Sequence, residues 1–194
     1  MQPKTPRQVL QLFYKNNNLD ADGGISKSYV KIELTKKIHL YFPNYKSRQR
    51  AVMKHDIHHL LTGYSASSML GEGEISAWEP ASGCRKYWAA FNLDMSGFMF
   101  ALWINPWRVF KAFARGRKSL NLYHELITND AALDTDINEL RNLLKLNEEN
   151  ISERTFMDYV FFFLFFFYGL IHTLLTLIVL PVLVVYTIYI LITK

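Results

Sequence analysis

The sequence holds a single cysteine, Cys84, so it can form no intrachain disulfide and no multi-cysteine zinc site. That scarcity suits a reducing compartment. Charge of either sign is missing from Tyr159 to Thr193, although charged residues run throughout positions 1 to 158. The tail therefore belongs to a different solvent from the rest of the chain. Met1 to Leu12 carries no apolar core of signal-peptide length and no long arginine-rich presequence. The N-terminus is expected to be uncleaved, with insertion directed by the C-terminal segment. The net charge of +5 over 194 residues is modest, and no reading motif for nucleic acid accompanies it. No nucleic-acid partner is expected. Beside an apolar tail, an anionic membrane surface is the more natural partner for the basic run Arg108, Lys111, Arg115, Arg117 and Lys118. There is no internal repeat and no strand-rich stretch. A calcium loop at Asp20 and Asp22 fails, because Ile25 stands where its glycine must be and Lys31 where its closing glutamate must be.

What remains divides into a polar N-terminal segment (1–25), a helical domain (26–150) and a hydrophobic membrane anchor (155–193). The fold class is all-α: a compact helical domain with a two-helix metal site, plus a C-terminal transmembrane helix. A mixed amphipathic pattern predicts a helix over 26–42, ending before Pro43. Ser47 has the character of an N-cap for a helix running through His55 and His59 to Thr62, stopped by Gly63. Met69 to Glu79 reads as a second helix, closed by Pro80. Arg85 to Ile104 reads as a buried or lipid-facing helix, and Pro106 opens another, with Trp107, Phe110 and Phe113 opposed to a basic face. That arrangement fits a bilayer interface and fits an ordinary core-covering helix equally well. Leu133 to Leu146 has helical spacing. From Tyr159 to Ile192 a single helix would reach roughly 50 Å, against about 30 Å for a bilayer core. An interfacial helix to Tyr168, a bend at Gly169 and one span over Leu170–Ile192 resolve the excess better than a tight hairpin, because turn residues are lacking mid-way. Pro181 would kink the span, and His172 reads as structural near an interface.

On a helix His55 and His59 share a face, one turn apart, as two imidazoles must to reach one metal ion. Asp56 lies on the flank of that face and can ligate a metal or orient an imidazole. His58 points about 100 degrees away from His59 and falls outside the ligand set. Glu72 would add a carboxylate from the next helix. Zinc fits this mixed nitrogen and oxygen set, and so do iron(II) and manganese. Three protein ligands would leave positions open for water or substrate.

The stretch His55-Asp56-x-x-His59-x-Leu61-x-Gly63, then Met69-Leu70-Gly71-Glu72 and Trp78-Glu79, resembles the coenzyme Q biosynthesis protein 4 family. Gly116-Arg117-Lys118 and Leu120-Asn121-Leu122-Tyr123-x-Glu125 extend the likeness, which covers roughly residues 30 to 146. The spacer of twelve residues between His59 and Glu72 is one longer than the family's, and the Tyr64–Ser68 loop can absorb the difference. Alignment of Met-Leu-Gly-Glu favours Glu72 over the nearby Glu74. The C-terminal segment lies outside the resemblance.

The resemblance implies a membrane-associated protein of ubiquinone biosynthesis, with His55, Asp56, His59 and Glu72 on a divalent metal, zinc foremost. Its partners would be a polyprenylated quinone precursor, membrane lipid and other quinone biosynthesis proteins. Its reaction would be that of a lyase, the oxidative removal of a ring carboxylate at C1. The Tyr87–Ile104 segment could line a channel for the isoprenoid tail, with Tyr123 and Glu125 as packing or orienting residues. Two other readings compete. One is a non-catalytic, lipid-binding scaffold with a structural metal. The other is a metal phosphohydrolase with His39 and Asp94 completing the His55-Asp56 doublet, which leaves Glu72 and the Leu-Asn-Leu-Tyr segment unexplained.

Overall fold

Helices dominate the computed structural model, which describes residues 5–16, 21–33, 39–147 and 153–193. Their order is α1 (Pro6–Asn16), α2 (Lys46–Thr62), α3 (Met69–Ser82), α4 (Trp88–Leu102), α5 (Pro106–Gly116), α6 (Asn129–Asp134), α7 (Ile137–Leu143) and α8 (Phe156–Thr193). Between α1 and α2, the stretch expected to be helical is instead an antiparallel hairpin of β1 (Tyr29–Glu33) and β2 (His39–Pro43), with Tyr29 opposite Pro43 and Glu33 opposite His39. The alternation of Val30 and Ile32 with Lys31 and Glu33 is the period-two signal of a strand, and β-branched residues favour it.

The start of α2 also departs from expectation. Tyr45, extended at φ −62° and ψ 147°, takes the N-cap position, and its carbonyl accepts from the backbone of Arg48 and Gln49. Ser47 lies inside the first turn. Gly63 stops the helix as expected, left-handed at φ 78°, with its N–H donating to the His59 carbonyl. Ser68 caps α3, its hydroxyl accepting from Gly71 N–H. Pro80 does not end this helix, which runs on to Ser82. A proline in a last turn removes only one donor, and the Ser82 hydroxyl donates to the carbonyls of Trp78 and Glu79.

Helices α3, α4 and α5 form the centre. Gly73 faces Ala101, and Gly97 faces Ser76, so closely that neither glycine has room for a methyl group. The two helices can therefore approach backbone to backbone. Trp78, Ile75, Met95, Phe98 and Val109 are wholly buried there, with Ile57 and Leu61 of α2 and Leu140 and Leu144 beside α7. The expected helix over Leu133–Leu146 is two short ones. Thr135 is extended, and the Asp136 carboxylate accepts from Asn138 N–H to cap a new start.

The C-terminal element is one continuous helix of 38 residues, without a break at Gly169 or Pro181, and it is long and apolar enough to cross a membrane. Its first half belongs to the core. Phe162 and Phe165 stack edge-on against Phe98, Gly169 lies against Met95 and Met99, and Arg117 donates to Asp158 at 2.7 Å. The boundary drawn at 155 thus marks a change of composition but does not divide the packing.

Candidate metal centre

Helix α2 carries His55 and His59 on one face, and α3 brings Glu72 against them. The two Nε2 atoms are 3.2 Å apart, and Glu72 stands 3.6 Å from His55 Nε2 and 3.4 Å from His59 Nε2. Hydrogen bonds on the far side of each ring settle which nitrogen bears the proton. His59 Nδ1 meets the Tyr64 carbonyl at 3.0 Å, and a carbonyl can only accept, so His59 carries its proton there. His55 Nδ1 meets Glu79 Oε1 at 3.0 Å and donates to it in the same way. In the neutral form that a metal requires, each ring turns an Nε2 lone pair toward the other and toward a carboxylate. Three acceptors converging at this distance repel one another unless a cation or proton lies among them, and that donor set fits a divalent metal.

Behind the rings stands a layer absent from the expected ligand set. Glu79, fully buried, accepts from His55 and, at 2.6 Å, from His58 Nδ1, while its other oxygen accepts from Tyr123 at 3.0 Å. Leu122 N–H donates to His58 Nε2 at 2.9 Å, which fixes His58 as a neutral ring with both nitrogens engaged. Asp94 lies on the other side of Glu79, accepting from the Cys84 thiol. Within a short reach, His55, Glu79 and Asp94 make a second convergent group, and His55 belongs to both. The sequence marks Glu79 in two ways: it belongs to the Trp78-Glu79 match, and seven residues after Glu72 it lies two helical turns along the same face of α3.

The remaining candidates fall as follows. Asp56 accepts from the Tyr14 hydroxyl and joins neither convergent group among the described residues, so its carboxylate flanks the site. Glu74 is taken by Arg108, which donates to both its oxygens at 2.8 Å. Tyr123 supports Glu79, whereas Glu125 is at the surface with Lys86 and Tyr87. His39 lies in β2, in neither group among the described residues.

Charge follows this layout. Burial works against a charged His55, but the Glu79 carboxylate and hydrogen bonds to Glu72 and Glu79 outweigh it and hold His55 well above the usual histidine range. Burial pushes Glu72 up, and the two histidines overcome it, drawing Glu72 down to about 2. Glu79 is likewise held well below the carboxylate range, against burial, by His55 and His58. Asp94 goes the opposite way: burial and the adjacent Glu79 charge hold it well above that range. Burial also lowers His58 and raises Asp56.

A cavity of about 660 Å³ opens beside this centre, with Tyr14, Tyr29, Tyr41 and Arg48 on its wall along with His59 and Glu72. Fold and site together define a mostly helical protein with a histidine–carboxylate centre on two adjacent helices and a long apolar C-terminal helix. Compared with protein-family models, curated proteins and solved structures, the chain matches none.

Proposed function

We propose that this chain is a membrane-associated, metal-binding protein of ubiquinone biosynthesis, anchored by α8, that acts on or presents a polyprenylated hydroxybenzoate-type ring. The facing Nε2 lone pairs of His55 and His59, 3.2 Å apart with both Nδ1 atoms committed elsewhere, carry the metal assignment. Zinc is the first choice for two imidazoles and a carboxylate. When bound, such an ion supplies Lewis acidity toward a ring carboxylate or phenolic oxygen. The chain's own residues do the rest. Glu79 and the Tyr64 carbonyl orient the imidazoles. Tyr14, Tyr29 and Tyr41 give the cavity aromatic walls suited to a ring, and Arg48, Lys27 and Lys31 bring positive charge toward a carboxylate. The substrate and its C1 oxidative decarboxylation come from the ordered resemblance of residues 30 to 146.

Metal content of the purified protein and of His59→Ala tests the base of this reading. The wild type is expected to hold close to one divalent ion per chain and the variant to lose it, whereas equal content in both sinks the assignment. Incubation with a carboxylated prenyl-ring precursor tests the upper level. Binding without turnover by metal-loaded protein would leave the scaffold role in place of the lyase.

A further inference from the structure

Both ends of α8 are held to the same body. Near its start, Asp158 is buried against Arg117 and Thr155. Near its end, buried Thr187 receives the Tyr41 N–H of β2 at 2.9 Å and donates back to the Tyr41 carbonyl. These anchor points lie 29 residues apart, about 43 Å along a helix. A hydrocarbon core is about 30 Å thick. If α8 stood across a bilayer, one domain would have to reach past both of its faces.

The helix is also two-sided along its length. Asp158, Phe162, Phe165, Gly169, His172, Thr176, Leu183 and Thr187 form the covered or half-covered stripe, each one or two helical turns from the next. Polar groups of this stripe turn inward, with His172 against Asn92 at 3.1 Å. The opposite stripe (Leu164, Ile171, Ile178, Val182, Val185, Ile192) is apolar throughout and exposed, Ile178 by 73%. A helix covered by its own domain along one side has only the remaining apolar surface to give to lipid. At its N-terminal end, Trp107 stacks on Phe110 and Phe110 on Tyr159, while Lys111 and Arg154 lie over the Trp107 ring. Indole beside cations is the composition of a lipid headgroup zone.

The geometry points to α8 lying in the plane of one anionic leaflet, with its outer stripe in the acyl boundary, instead of crossing the bilayer as its length and composition suggest. This rests on the reading of the protein as membrane-associated.

The test places an environment-sensitive fluorophore on Leu164→Cys, Ile178→Cys and Ile192→Cys, with the wild-type chain, whose Cys84 is buried, as labelling control. The full-length variants are reconstituted with vesicles of phosphatidylcholine and phosphatidylserine carrying shallow or deep quenchers on their acyl chains. The expected result is one shallow-to-deep quenching ratio at all three positions, matching about 5–10 Å of burial. In sealed vesicles, Arg154→Cys and Thr193→Cys should both react with an impermeant maleimide from the same side. A probe at position 178 near the bilayer centre with shallow ends, or one end reactive only after detergent, overturns the in-plane placement and leaves membrane association standing. Failure to sediment with vesicles overturns both.

Discussion

At the scale of single residues, Glu79 ties together more of the site than any of the residues expected to ligate the metal. It is fully buried and serves His55, His58 and Tyr123 at once. Glu79→Ala leaves a buried imidazole N–H and a buried hydroxyl without partners and should cost about 3–5 kcal/mol, read from denaturant unfolding. Glu79→Gln keeps the shape and removes the charge that orients His55. It should lower metal affinity about 10–100-fold while the helical spectrum is retained, and an unchanged affinity would contradict the orienting role. The convergence of His55, His59 and Glu72 was legible in the sequence because a four-residue helical spacing and an ordered motif mark them. Glu79 offered its place in the Trp78-Glu79 match and its spacing from Glu72, and Asp94 entered only through the competing phosphohydrolase reading. A carboxylate paired inside a core looks in sequence like any other acidic residue, and only packing brings Asp94 from α4 against Glu79.

The same residues give the metal-free protein a defined pH response. His55 is raised on folding, so its contribution is fully present below the ordinary histidine value of 6.5 and is lost as pH rises through its folded value. Glu72 and Glu79 are depressed, so theirs is present above the ordinary glutamate value of 4.5 and is lost as pH falls, through about 2 for Glu72. These three groups together therefore favour the folded, metal-stripped protein most between those two ordinary values. Its denaturation midpoint should decline toward alkaline pH, where His55 surrenders its proton. Zinc-loaded protein should reverse that alkaline trend, since the ion needs the deprotonated ring. Parallel alkaline profiles for stripped and loaded protein would show that no metal competes for His55.

At the scale of elements, glycines distinguish two ways of being indispensable. Gly97 of α4 lies against Ser76 of α3, where an added side chain meets the Ser76 hydroxyl. Gly97→Val should force α3 and α4 apart and cost about 1–3 kcal/mol. Because Glu72 and Glu79 both ride on α3, metal affinity should fall with it. Gly63 has open space around it but sits at φ 78°. Gly63→Ala should cost about 1–2 kcal/mol through the backbone alone and leave the metal site intact. A thermal melt and a metal titration on each variant separate the two. Helices α2 to α5 were legible from apolar spacing and their stop signals. The hairpin was not, because Tyr29–Glu33 and His39–Pro43 are only five residues each, too short for period two to outweigh an amphipathic reading of the whole stretch. Pro80 misled for a related reason: its cost depends on how many turns follow it, and here Ser82 supplies the missing capping.

For the whole molecule, composition and packing draw different boundaries. Charge stops at Asp158 and returns only at Lys194, which suggests a domain followed by a separable anchor, yet Phe162 and Phe165 fill space among Phe98, Phe110 and Phe113. Fully burying a phenylalanine contributes about 1.5–3 kcal/mol, so two partly buried ones, with the Arg117–Asp158 pair, are an appreciable share of the roughly 5–15 kcal/mol that keeps a domain folded. A chain ending at Thr155 should therefore lose its cooperative unfolding transition and expose the aromatic faces of α4 and α5. A chain ending at Thr176 keeps Phe162, Phe165, Gly169 and the His172–Asn92 contact and should retain both the transition and its metal. It loses the Thr187–Tyr41 tie, so only the β1–β2 hairpin should become more susceptible to hydrogen exchange. Two truncations with identical melting behaviour would mean that α8 is a passive appendage. The separation expected here would make it a structural wall of the helical domain, packed beside the histidine–carboxylate centre.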